Sequence, residues 1–181
     1  MGYKPITRKV KDAIYLMMAH SKPYISVPLW SLLVIPAVYM AQIIFLAFAT
    51  NLPVGLILFF TLFASAMIEE VVKSIGIVAL VEHGVVKSAW GIVGLSFLSA
   101  LGFLIGEKLL LLVSISTVSQ ASASSALFGA GLLLFIPLIA HFVFTTIATL
   151  LSTKARLFYI VGVTVSTVIH FIYNWRLMGG L

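Results

Sequence analysis

The sequence predicts an all-α, polytopic transmembrane helix bundle, and three observations carry that prediction. Of 181 residues, 62% are hydrophobic and only 9% charged, where a soluble domain carries about 25% charged residues. Mean hydropathy is +1.20. Five apolar runs, roughly 27–49, 53–81, 88–114, 126–151 and 156–175, are each long enough to cross about 30 Å of hydrocarbon at 1.5 Å per residue. The basic residues between those runs fall almost wholly on one side of the membrane they imply.

Residues 6–18 place Ile6, Val10, Ala13, Ile14, Met17 and Met18 at helical spacing beside Arg8, Lys9 and Lys11. That pattern suits an amphipathic helix in the headgroup region, basic edge toward anionic lipid. The first 25 residues show no apolar core followed by a small-residue cleavage site, so no cleavable signal peptide is expected. Pro28 and Pro53 stand at the expected starts of the first two spans, where a missing N–H is harmless. Pro36 and Pro137 lie inside runs and are expected to kink them.

Loop charge sets the orientation. With the N-terminus in the cytoplasm, the inside receives Lys4, Arg8, Lys9, Lys11, Lys22, Lys87, Lys154 and Arg156, and the outside only Arg176. The outer loops, Thr50 to Leu52 and Ser114 to Ser125, carry no charge. The bias predicts five spans, N-terminus in and C-terminus out. The net charge of +6 thus reports membrane topology and not nucleic acid. With no cysteine, disulfides are excluded. Nothing repeats and no linker divides the chain, so 1–181 reads as one membrane domain, 1–25 a cytoplasmic amphipathic segment and 27–175 the bundle. A multi-pass protein of the cell membrane follows, surrounded by lipid, its oligomeric state not legible.

The second run contains Ala64-Ser-Ala-Met-Ile-Glu69-Glu70-Val-Val-Lys73-Ser74. Insertion of each ionised side chain at a bilayer centre costs roughly 2.5–3.5 kcal/mol, while each Leu, Ile, Val or Phe returns about 0.3–0.6 kcal/mol. Groups kept at that expense serve chemistry, transport or a buried ion pair. Span three adds Glu107, span four His141, and span five His170 and Asn174. The chain holds five acidic residues and four histidines, yet Glu69, Glu70, Glu107, His141 and His170 are inside spans. At 1.5 Å per residue Glu69 lies about 18 Å, His141 about 14–15 Å and His170 about 20 Å from the cytoplasmic end of its span. Glu107 reaches the same level only if Ser88 to Val93 lies in the interface, with Trp90 as anchor.

Azimuth adds a constraint. Lys73 is one turn from both Glu69 and Glu70, so it can pair with either. The adjacent carboxylates point about 100° apart, so one can face a cavity while the other takes a supporting partner. Gly102 and Gly106 form a small-xxx-small pair that lets helices approach closely beside Glu107. Asp12, His20, Glu82 and His83 lie in or near loops and are expected to be solvated.

Two carboxylates and two imidazoles in an apolar pocket can activate water. A desolvated carboxylate can serve as general base, and a histidine with an Asn amide can hold the oxyanion that forms when water attacks a carbonyl. The same residues, Glu69, Glu70, His141 and His170, are candidate zinc ligands, because a His-His-Glu set leaves one position open for water. The HExxH spacing of soluble zinc peptidases is absent. Intramembrane carboxylates also serve as relays in proton- or cation-coupled transporters, though no inverted repeat is visible. A catalytically idle protein that binds a membrane peptide is a third alternative.

Glu69-Glu70-Val-Val-Lys73 resembles the EExxK motif of the PrsW branch of the CPBP (CAAX protease and bacteriocin-processing) intramembrane proteases. Phe103-Leu-Ile-Gly-Glu107 resembles that branch's FxxxE motif, His141-Phe-Val-Phe-Thr145 its first histidine span, and His170-Phe-Ile-Tyr-Asn174 its HxxxN ending. The motifs run in the family's order over roughly residues 60–175. Pro137 stands where FxxxH members carry Phe, and Ser74 replaces the Arg of the prenyl-protein EExxxR motif. Family members often have more than five spans. The resemblance implies peptide-bond hydrolysis of a membrane-anchored or transmembrane protein, such as an anti-sigma factor or a prenylated protein, by a metal-dependent or glutamate-dependent route. It implies Glu69 or Glu70 as base, His141 and His170 as electrostatic partners or ligands, and Lys73, Glu107 and Asn174 as supporting residues.

Overall fold

The computed structural model describes residues 22–49, 52–118 and 135–177. Helices α1 (Pro23–Leu33), α2 (Ile35–Ala49), α3 (Val54–Glu82), α4 (Ala89–Val118), α5 (Phe135–Ser152) and α6 (Arg156–Leu177) follow in order, with no strand among the described residues. Five stretches of them are long and apolar enough to cross a membrane: Pro23–Phe48, Val54–Glu82, Ala89–Leu110, Phe135–Ser152 and Leu157–Arg176. Helices satisfy their own backbone groups, which is why a hydropathy pattern alone locates spans so well. The expected amphipathic helix at 6–18 lies outside the described residues, as does the N-terminal part of the expected fourth span.

Three details differ from the sequence expectation. Pro28 is not at a helix start; Pro23 takes that place and Pro28 sits inside α1. The first span is broken at Val34, two residues before Pro36, which has no N–H to offer the Leu32 carbonyl. The ladder continues on both sides, with Val34 N–H donating to the Trp30 carbonyl at 3.0 Å and Val38 N–H to Val34 at 3.0 Å. Ser114 to Val118, expected in an outer loop, continue α4.

The turn from α3 to α4 is set by its glycine. Gly84 has φ +72°, and its N–H donates to the Val81 carbonyl while Val85 N–H donates to Leu80, each at 3.0 Å. This is a Schellman cap, in which only glycine adopts the left-handed position freely. The α3 and α4 helices are thereby folded back on one another. Val27, Ile77, Leu80, Ile92 and Leu95 close the core at this end, and Ile35, Val38 and Phe103 form a second cluster deeper in the bundle.

Close approach elsewhere rests on the small residues. A Cβ built on Gly102 would collide with the Pro28 backbone, 2.8 Å from its Cα. One on Gly106 would lie 2.6 Å from Ile35 Cγ1 and 3.2 Å from the Leu32 carbonyl oxygen. The glycine pair therefore docks the broken first span on α4, and Gly162 does the same for α6 on α5, 3.0 Å from Ala148 Cα. Gly102→Ala should lower stability in detergent by about 1–3 kcal/mol, because backbone cannot swing aside as a side chain can. Gly55→Ala, whose new Cβ meets nothing within 4 Å, should be neutral or stabilising in the same unfolding measurement.

Polar side chains strap the helices together near the paired glutamates. Trp30 Nε1–H donates to the Val72 carbonyl at 3.1 Å, and the Ser99 hydroxyl to the Lys73 carbonyl at 3.1 Å. Ser31 and Ser99 share a 2.7 Å hydrogen bond, Ser96 and Thr149 one of 2.9 Å, and Ser166 donates to Phe144 at 2.8 Å. These bonds hold α1, α4, α5 and α6 in register around the middle of α3.

Candidate active site

The middle of α3 brings Glu69, Glu70 and Lys73 into the bundle interior, all three buried. Lys73 has chosen between its two neighbours: its ammonium donates to Glu70 Oε1 at 2.6 Å, with both side chains at 0% exposure. The same Glu70 oxygen accepts from Nδ1–H of His170 on α6 at 2.9 Å. Glu70 Oε1 is therefore held from its own helix and from a neighbouring one, while its Oε2 is buried without a hydrogen-bond partner among the described residues.

Glu69 faces the other way around the helix. Its Oε1 accepts from the Ser65 hydroxyl at 3.0 Å, and that hydroxyl accepts in turn from the Gln42 amide on α2 at 2.5 Å. Its Oε2 is buried without a hydrogen-bond partner among the described residues and lies 3.8 Å from His170 Nε2. One imidazole thus stands between both glutamates, bonded to one and opposed to the other. With Nδ1–H donated to Glu70, His170 in its neutral form presents the lone pair of Nε2 toward Glu69.

His141 on α5 completes the cluster. Its Nδ1 is 3.0 Å from Lys73 Nζ and its Nε2 is 3.2 Å from Glu107 Oε2 on α4. An ammonium has only hydrogens to offer, so His141 Nδ1 accepts and Nε2–H donates to Glu107. Phe103, the first residue of the FxxxE motif, supports both groups: its ring centroid is 4.8 Å from the Lys73 ammonium and 5.3 Å from the His141 ring. Phe144 stacks on His170 at 5.1 Å, and the two imidazoles lie 5.4 Å apart, nearly perpendicular.

Residues from four spans therefore meet, Glu107 included. Its carboxylate is the most open, with 26% of its side chain exposed. Asn174 is half-buried one turn beyond His170. Thr145, one turn after His141, is buried with its hydroxyl unpartnered among the described residues. Away from the cluster, His83 is exposed and bonds the Ala79 carbonyl through Nδ1 at 2.8 Å.

Sequence reasoning missed Gln42 and Ser65. The signal was present, since Gln42 is the sole side-chain amide in the first run, which contains no charge. Ser65 sits one turn before Glu69 and carries the hydroxyl that holds it.

The cluster also bears on a metal. One ligand atom each from Glu69, His141 and His170 lie within 4.8 Å of one another. Glu69 Oε2 is unpartnered and His170 Nε2 presents a lone pair, so both fit zinc as they stand. Glu70, bonded to His170 Nδ1, is the outer partner that fixes a ligating histidine. His141 can contribute a nitrogen once Lys73 or Glu107 releases it. Charge fits as well: two buried carboxylates and the partly exposed Glu107, set against one ammonium, leave a deficit that two protons or one divalent cation would neutralise.

The model of the PrsW family of intramembrane metalloproteases matches residues 23–180. No curated protein and no solved structure matches the chain. The match covers all five membrane-crossing stretches and every residue of the cluster. The chain is a multi-pass integral membrane protein and belongs to the PrsW family of intramembrane metalloproteases.

Proposed function

We propose that this protein hydrolyses a peptide bond of a membrane-anchored or transmembrane protein in the cell membrane, with Glu69 as the base for the attacking water. The observation that carries the reading is the pair of acceptors Glu69 Oε2 and His170 Nε2, 3.8 Å apart. Two acceptors are complementary to a molecule with two hydrogens, so a water donating to both from one side of the pair would be oriented and deprotonated there. Glu70, whose Oε1 serves both Lys73 and His170, is the positioning carboxylate.

As water oxygen bonds to the scissile carbonyl carbon, its proton passes to Glu69. The proton then moves to the departing amine as the C–N bond breaks. His141, whose Nε2–H now donates to Glu107, can transfer that donor to the developing oxyanion. Lys73 fixes the donor tautomer and places positive charge behind it. Asn174 is an orienting residue on the same face as His170. Zinc held by Glu69, His141 and His170 would polarise the carbonyl and make water nucleophilic near neutral pH. The motif set further supports placing the chain in the PrsW branch of the wider CPBP grouping.

The test uses purified protein reconstituted with single-span reporters that release a fluorescent domain on cleavage. Glu69→Gln, His141→Ala and His170→Ala, each verified as folded, should lose cleavage. Retained activity in both Glu69→Gln and His170→Ala would end the reading. Elemental analysis with a chelator titration then separates the two routes: loss of activity restored by zinc assigns the metal, whereas full activity in metal-free protein assigns the glutamate.

A further inference from the structure

We infer that Gln42, acting through Ser65, is a positioning residue that fixes the orientation of the Glu69 carboxylate, so that its second oxygen faces the reacting centre. The inference rests on Glu69 being the base or ligand argued above. Gln42 follows Ile35 and Val38 at i, i+3 and i+7, the stripe of α2 whose first two members are buried in the core. The opposite side of α2, with Met40, Ile43 and Ile44, is exposed. Periodicity thus turns the one amide of the first span inward, onto α3.

The hydrogen bonds run in one direction. Gln42 Nε2–H donates to Ser65 Oγ, and Ser65 O–H donates to Glu69 Oε1. Because the amide occupies a serine lone pair, the serine hydrogen is committed to the carboxylate, and each bond polarises the next. The terminal torsion of a glutamate is otherwise broad and roughly two-fold. With Oε1 fixed by this arm, the unpartnered Oε2 is the oxygen turned to His170 Nε2. A simple interhelical strap would need only the Gln42–Ser65 bond; the third member, the carboxylate, makes the arm part of the site.

Gln42→Leu and Ser65→Ala, measured on the reporter that the wild-type protein cleaves, should each lower kcat by about 10- to 100-fold with KM little changed. The double variant should be no slower than Ser65→Ala, because both substitutions cut one chain. Ser65→Thr, which keeps the hydroxyl, should regain most of what Ser65→Ala loses. A second readout needs no substrate. The infrared difference between wild type and Glu69→Gln isolates the Glu69 carboxyl band, and that band should shift in Gln42→Leu and Ser65→Ala. Wild-type kcat with an unmoved band, or additive losses in the double variant, overturns the inference while leaving Glu69 as the base. Full activity in Glu69→Gln instead overturns the reading on which the arm depends.

Discussion

Glu69→Gln is expected to cut the rate of reporter cleavage by about 10²- to 10⁴-fold with little change in stability. The amide keeps an oxygen that can accept from Ser65, which now bonds Glu69 Oε1 at 3.0 Å, and fills the same volume. What it loses is the capacity to take a proton or ligate a metal. Glu70→Gln separates the two carboxylates. It removes the charge that meets the Lys73 ammonium at 2.6 Å and His170 Nδ1 at 2.9 Å, so unfolding and cleavage should both suffer. A variant pair that reversed this pattern, with Glu69→Gln unstable and Glu70→Gln stable but inert, would exchange their roles. Thermal unfolding in detergent beside the cleavage assay reads both halves.

Lys73→Met is expected to destabilise the bundle by about 3–5 kcal/mol, the usual cost of leaving a buried charge without its partner. The ammonium is fully buried and contacts Glu70, His141 and the face of Phe103. Methionine fills most of the space but supplies no hydrogens, so the tautomer of His141 is released along with the Glu70 pair. The double variant Glu70→Gln/Lys73→Met should recover much of the lost stability, because the Glu70 carboxylate is then no longer left without its ammonium. Activity should not return with it, since His141 is no longer held as a donor. Denaturant unfolding of the single and double variants in one detergent measures the coupling directly.

The spans were legible because the bilayer imposes a length and a polarity that local sequence must meet. The cluster was legible for the converse reason: three acids and two histidines inside apolar runs stand out against a background of almost no charge. Depth counting brought Glu69, His141 and His170 to one level, but left Glu107 dependent on where its helix enters the membrane. The 3.2 Å contact to His141 resolves it. The division of labour between Glu69 and Glu70 was not legible, because it depends on where α6 sets His170 around α3, a tertiary fact. Gln42 escaped notice because a neutral amide barely alters a hydropathy average, although its partner Ser65 bonds a glutamate. Pro28 was misplaced because a start signal and an interior proline look alike when another proline, Pro23, precedes it.

The pairing of Glu70 with Lys73 three residues away on one helix bears on how the chain reaches its membrane. His170, the other partner of that carboxylate, is 100 residues downstream and is synthesised long after the second span has left the ribosome. A nascent segment carrying both signs within one turn enters lipid with a single residual charge instead of three. Partitioning at the translocon can therefore proceed before the later helices arrive, and the imidazole need only complete an arrangement whose largest electrostatic penalty has already been cancelled.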